Sequence, residues 1–247
     1  MTTTLKLRVP EVTLAFWAIK LLTTGVGEIS SDFLVKTFEP VLVVGIAGVL
    51  FVIAALVQLR AGRYLPWRYW LFVTMVAIFG TMVADVTHIV LDVPYALSSA
   101  GFALVLAALI VAWWRTEKTI SVHTITTRRR ELFYWAVVLA TFALGTAFGD
   151  LTATTLGLGY FGSGILFAVL FAIPFSLNRA GIADTLTFWA AYVLTRPLGA
   201  SFADWIAVDH SRGGLALGTG IVSVVGLVVI AASVALLQAR WHPSGNE

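Results

Sequence analysis

A chain of 247 residues with 59% hydrophobic and 12% charged residues, at a mean hydropathy of +0.93, is too apolar for a soluble protein, which carries about 45–50% apolar and about 25% charged residues. It reads as an all-α, polytopic membrane protein. There is no cysteine, which excludes disulfides, thiolate metal sites and cysteine nucleophiles. The net charge of +3 comes from bases that flank apolar spans, so nucleic acid is not an expected partner and the lipid bilayer is.

A hydrocarbon core of about 30 Å takes roughly 20 helical residues. In chain order, eight segments meet that length: 12–34, 40–59, 68–91, 94–114, 132–154, 158–177, 184–206 and 214–238. Lys6 and Arg8 precede the first as in a signal peptide, but Glu11, Lys20 and Glu28 interrupt it and no convincing small-residue cleavage site follows, so it reads as a retained helix. The second, fourth, sixth and eighth spans hold no charged residue, whereas the odd spans carry acids. Residues 1–114 form a first half of four helices, 115–131 (RTEKTISVHTITTRRRE) a basic linker expected to meet anionic lipid, and 132–247 a second half. Of 16 Lys and Arg residues, all but four fall on the side of the termini and the linker. Lys36 and Arg212 fall on the other, and Lys20 and Arg196 lie within spans. This bias places both termini in the cytoplasm.

The odd spans repeat one pattern: an aromatic residue, Trp, nine residues, Gly, four residues, Asp. The triplets are Trp17, Gly27, Asp32; Trp70, Gly80, Asp85; Trp135, Gly145, Asp150; and Trp189, Gly199, Asp204. Chance predicts about 0.02 such spacings from this composition, so the repeat is real. Each unit is a pair of helices that returns the chain to the same side. The four units are therefore parallel repeats about an axis along the membrane normal, which sets the four Asp residues in a ring at one depth.

The segments WAIKLLTTGVGEISSDFL and FWAAYVLTRPLGASFADW resemble a bacterial family of uncharacterised membrane-anchored proteins built from four copies of a short transmembrane repeat of unknown function. The resemblance covers nearly the whole chain and implies the architecture and a bacterial cytoplasmic (inner) membrane, without a substrate.

Acids within a membrane span are costly and generally have a partner or a task. Glu28, Asp32, Asp85, Asp150 and Asp204 stand against Lys20 and Arg196, an excess of three negative charges that attracts a cation or protons. The bland alternative is that the Asp residues end their helices near water, since 15 residues separate each Trp from its Asp, roughly 22 Å of rise. A carboxylate there opposes the helix dipole, and four copies in register need more than that account. Glu28 and Asp32 share a face with the hydroxyls of Thr24 and Ser31 nearby, a set suited to a hard cation or a shared proton. Lys20 is expected to pair with an acid of another repeat, such as Asp150 or Asp204. Asp85 and His88 at i, i+3 add an imidazole, as a transition-metal ligand, a proton relay or simply an interfacial residue. Arg196 is expected as a counter-ion to one of the acids, or as a gate, with Pro197 and Gly199 permitting a kink. The repeated glycines, and the small residues Gly45, Gly48, Ser98, Gly101, Gly159, Gly162, Gly164, Gly214, Gly218 and Gly220, are expected at close helix contacts.

No phosphate loop, nucleophile elbow or zinc-hydrolase motif occurs, so no enzyme activity is expected. The reading is a secondary transporter for a small cation, a divalent metal ion such as Mn²⁺ exchanged with protons. Glu28, Asp32, Asp85, Asp150 and Asp204 are the ion and proton sites, His88 joins them as a metal ligand, and Lys20, Thr24, Ser31 and Arg196 give polar or counter-ion support. No tightly bound cofactor is implied, and a homo-oligomer is compatible. The alternatives are a carrier of a small organic solute whose anionic group meets Lys20 or Arg196, and a non-transporting scaffold or lipid-interacting protein.

Overall fold

The computed structural model describes residues 6–241. Eight long helices, with no strand among the described residues, follow the predicted spans: α1 (Leu14–Thr37), α2 (Pro40–Leu59), α3 (Pro66–Asp85), α4 (Tyr95–Glu117), α5 (Arg128–Asp150), α6 (Gly159–Arg179), α7 (Asp184–Ala207) and α8 (Thr219–Arg240). Their starts have local causes. The Thr13 hydroxyl accepts from the Phe16 N–H (3.2 Å), the Glu39 carboxylate from the Leu42 N–H (2.7 Å) and the Thr127 hydroxyl from the Arg130 N–H (3.3 Å), and Pro40 and Pro66 stand in the first turns of α2 and α3. Six of the eight are long and apolar enough to cross a membrane. The other two, α1 and α7, carry Lys20, Glu28, Asp32 and Lys36 or Asp184, Arg196 and Asp204.

The odd helices form an inner ring in which α1 packs on α3, α3 on α5, α5 on α7 and α7 on α1. Each even helix lies outside and packs chiefly on an odd helix of the next unit: α2 on α3, α4 on α5, α6 on α7, and α8 back on α1. Packing therefore runs across the two halves of the chain as tightly as within them. Burial follows the same division: α1 buries Phe16, Trp17, Ile19, Val26 and Ile29, whereas α2 buries only Ala47, Ala54 and Gln58. The outer helices leave Val41, Leu104, Val169 and Ile221 more than half exposed, an apolar rim that needs lipid around it.

The aromatic–Trp pairs build one closed layer. Phe16 lies 5.8 Å from Trp70, Tyr69 5.3 Å from Trp135, Tyr134 6.0 Å from Trp189, and Phe188 5.7 Å from Trp17, between ring centroids. The aromatic residue of each unit thus meets the Trp of the next, all the way round, which is the cyclic relation a parallel repeat requires. Beneath this layer the linker folds against the bundle, with Val122 and Ile125 buried and Trp189 Nε1 donating to the Ile120 carbonyl (2.9 Å). Its basic cluster is only partly free for lipid: Arg129 and Arg130 both pair with Glu117. Glu131, itself buried, accepts from Arg8 Nη1 (2.8 Å) and Gln58 Nε2 (2.9 Å), fastening the N-terminal segment and α2 to α5.

At the far end, α3 and α5 pass from Asp85 and Asp150 straight into one π turn each, Val86–Val90 and Leu151–Thr155. The two turns match bond for bond. The Leu91 N–H donates to Val86 O (3.1 Å) as Leu156 does to Leu151 (2.9 Å), and Val93 donates to Thr87 O (3.2 Å) as Leu158 does to Thr152 (3.2 Å). Both chains then turn through a left-handed residue, Asp92 (φ 51°) and Gly157 (φ 69°), a conformation that Gly takes freely and Asp tolerates. The α1 and α7 helices continue past Asp32 and Asp204 without this switch.

Candidate functional site

The four repeated glycines are where the inner helices touch. A Cβ on Gly27 would lie 2.9 Å from the Ala77 carbonyl carbon, on Gly80 3.3 Å from Phe142 Cβ, on Gly145 2.6 Å from Arg196 Cβ, and on Gly199 within contact of Thr24 and 2.9 Å from the Leu21 carbonyl oxygen. In every case the neighbour stands three residues before the glycine of the adjoining unit: Ala77, Phe142, Arg196 and Thr24. Gly25 faces Gly199 in the same way, its Cβ position 2.8 Å from the Gly199 carbonyl, and the Thr24 hydroxyl spans that crossing to the Thr195 carbonyl (3.1 Å). The expectation of close approach holds for these glycines and for Gly48, Gly164 and Gly220, which meet Phe79, Phe202 and Phe33. It fails at Gly45, Gly101, Gly159 and Gly218, which have open space at the Cβ position; Gly159 (φ 65°) and Gly218 (φ 85°) instead supply left-handed backbone at the starts of α6 and α8.

These close crossings bring the residue after each glycine toward the axis. That position holds Glu28, Thr81, Thr146 and Ala200, and the first three converge on one guanidinium. Arg196 Nη2 forms an ion pair with Glu28 and reaches the hydroxyl oxygens of Thr81 (2.6 Å) and Thr146 (2.8 Å). Thr81 donates its own proton to Ala77 O (2.8 Å) and Thr146 to Phe142 O (3.0 Å), so both hydroxyls are free to accept from Arg196. All four residues are buried. The counter-ion expected for Arg196 is therefore Glu28, across the α1–α7 crossing.

Lys20 does not find the acidic partner expected for it. Its side chain is buried, its Nζ makes no hydrogen bond, and it sits against the rings of Phe142 (4.0 Å to the centroid) and Tyr192 (4.2 Å). Asp150 and Asp204 lie too far along the axis, because Lys20 occupies the level three residues after the Trp and the Asp residues the level fifteen after it.

The pairing of Glu28 with Asp32 is also redrawn. Glu28 turns to Arg196, while Asp32 pairs with Lys36 at the half-exposed end of α1; Thr24 serves the helix crossing, and Ser31 is buried with no side-chain partner. Asp85 and Asp150 are half-buried and Asp204 is buried, and none of the three carboxylates makes an ion pair or hydrogen bond among the described residues. His88 is not joined to Asp85. The π turn rotates it away, its Nδ1 lies 3.2 Å from Val93 O and 3.4 Å from Ser98 Oγ, and its ring rests 4.3 Å from that of Tyr95. Among the described residues no three His, Asp or Glu side chains gather closely enough to hold a metal ion.

Sequence reasoning missed Thr81 and Thr146 as ligands of Arg196, and Phe142 and Tyr192 as the walls around Lys20. The signal was present in the repeat register: the position after the glycine is polar in three of the four units. Chemically the axis now has three levels. An aromatic layer closes one end, a buried ion pair with two hydroxyls blocks the middle, and at the other end three carboxylates stand with no ion-pair partner among the described residues.

No curated protein and no solved structure matches the chain. The model of a family described as a repeat of unknown function (DUF347) matches four times, over residues 15–64, 68–119, 133–179 and 187–240, each match taking in one inner and one outer helix. Four copies on the register of the Trp, Gly and Asp triplets, closed into one ring, identify the chain as a member of the family built from this repeat.

Proposed function

We propose that the protein crosses the bacterial cytoplasmic membrane eight times, with both termini in the cytoplasm, as a secondary transporter that exchanges a small cation for protons. The observation that carries this reading is the unequal pairing of the acids. Glu28 is neutralised by Arg196 and Asp32 by Lys36, whereas Asp85, Asp150 and Asp204, at one end of the same ring, make no ion pair among the described residues. Carboxylates left without partners at membrane depth favour a bound cation or a proton over the bare charge. Glu28 of α1 and Arg196 of α7 point into the ring and pair across it, and Lys20 is buried beside them, so the mid-span charges of these two helices do not face lipid.

A divalent ion such as Mn²⁺ is the cation to test first, because carboxylates are the hard oxygen ligands it takes; to hold it, Asp85, Asp150 and Asp204 have to draw closer together than they stand. His88 is left out of that set by its contacts with Val93, Ser98 and Tyr95. In the conformation described here the Arg196–Glu28 pair blocks the axis, so transport needs this crossing to open.

The test is uptake of Mn²⁺ and movement of protons in proteoliposomes. Wild-type protein is expected to couple the two, and Asp85→Asn and Asp150→Asn to abolish the flux while the protein stays folded. Protein that moves neither Mn²⁺ nor any other small cation, and shows no pH-dependent flux, would overturn the reading in favour of a scaffold.

A further inference from the structure

The proposed cation path does not use Lys20, whose surroundings are at odds with its charge. The buried interior around it holds hydrogen-bond donors without acceptors: among the described residues Lys20 Nζ and Arg196 Nε and Nη1 are enclosed and unpartnered. The acceptors nearby are already taken, since Glu28 and the Thr81 and Thr146 oxygens are committed to Arg196 Nη2. The same ring, Phe142, lies 4.0 Å from Lys20 Nζ and 5.6 Å from Arg196 Cζ, so the two cations share one wall and repel one another across it. With Lys20 protonated, one carboxylate, Glu28, stands against two bases, a surplus of one positive charge. Contacts with aromatic faces offset only part of the cost of taking an ammonium out of water.

We propose that Lys20 and Arg196 form a binding site for a small monovalent anion, either a halide or a short carboxylate. Such a ligand is acceptor-only and answers unpartnered donors. Single negative charge matches the surplus. Small size is imposed by the walls, Phe142 and Tyr192, and by the backbone crossing at Gly25 and Gly199 directly above. The axis then takes ions of opposite sign at two levels, an anion inside and a cation at the carboxylate end.

The experiment uses purified full-length protein in a neutral detergent at constant ionic strength, with gluconate replaced stepwise by chloride, bromide, formate or acetate, and by sulfate as a divalent comparison. The melting temperature and the intrinsic Trp fluorescence are read together, since Trp70 and Trp135 lie in the aromatic layer next to the site. A saturable rise in melting temperature is expected for the halides or for the short carboxylates, and which series responds tells the two sources apart. Lys20→Met, which keeps the apolar stem, is expected to raise the half-saturating concentration by about tenfold or more, while Gly45→Ala, at a position with open space around it, leaves it unchanged. A wild-type protein that responds equally to gluconate and to every small anion, that responds to pH alone, or a Lys20→Met protein with the full response, overturns the site. Cation flux is measured separately in gluconate, so failure of the transport reading is not mistaken for failure of this one.

Discussion

The second and third repeats are near copies of one another, and the first and fourth are not. In the second and third, Tyr precedes the Trp, Thr follows the glycine, and the helix ends at Asp in a π turn with the same hydrogen bonds. The two tyrosines, Tyr69 and Tyr134, bond to each other across the ring. The first and fourth repeats keep Trp, Gly and Asp but replace the residues between them: Lys20, Thr24 and Glu28 in one, Tyr192, Arg196 and Pro197 in the other. Their helices also make the closest crossing, where Gly25 and Gly199 leave room for backbone on backbone. What the four units share sets the ring, and what two of them change fills its centre.

Breaking the changed pair is expected to have the largest effect. Arg196→Met leaves Glu28 buried without its partner, at a cost of about 3–5 kcal/mol, read as loss of thermal stability in detergent. The double variant Arg196→Met with Glu28→Gln is expected to recover most of that loss, because no buried charge then stands alone. A double variant as unstable as the single one would mean that packing, and not charge, governs the site.

The glycine contacts give a graded series. Gly199→Ala sets a methyl group against the Leu21 carbonyl and Gly25 backbone of α1 and is expected to cost about 1–3 kcal/mol. Gly80→Ala, in the second repeat, meets only the Phe142 side chain at 3.3 Å and is expected to cost less. Equal losses at the two positions would break the distinction between the tight α1–α7 crossing and the looser α3–α5 one.

Thr81→Ala and Thr146→Ala remove equivalent hydroxyls from the two similar repeats. Each is expected to cost about 1.5 kcal/mol, the low end for one hydrogen bond to a charged group, and the two losses are expected to agree. A clear inequality would show that the quasi-symmetry of these repeats stops short of the central site.

The smallest stability effects are expected at the Asp ring. Asp85→Asn and Asp150→Asn lose no ion-pair partner and remove a half-buried charge, so each is expected to hold or slightly raise thermal stability while abolishing cation flux. Asp32→Asn loses an exposed pair with Lys36 worth about 0–1 kcal/mol, a pairing with no equivalent in the second and third repeats.

The helices were legible because a run of about twenty apolar residues has few other fates, and the repeat because four Trp, Gly and Asp triplets recur at one spacing. The partners were harder to read. Lys20 was expected to meet Asp150 or Asp204, since charge alone recommends an acid. Position along the helix forbids it, and aromatic rings at its own level surround it instead. His88 was expected beside Asp85 on α-helical spacing, but a π turn follows Asp85 and turns the imidazole to Val93 and Ser98. Arg196 was expected to meet an acid, yet nothing in a linear reading distinguishes Glu28 from four aspartates.

Taken by itself, the sequence determined how many helices there are, which of them carry charge, and that four units share one register. Each of those follows from residues within a single helix or from spacing along the chain. Only the tertiary structure decided that each outer helix packs on the next unit, with α8 returning to α1, and that Glu28, Thr81 and Thr146 meet on Arg196. Those contacts join residues 50 to 168 positions apart, and their geometry is set by how closely the glycines allow neighbouring helices to approach, a property of pairs of helices that no one helix carries.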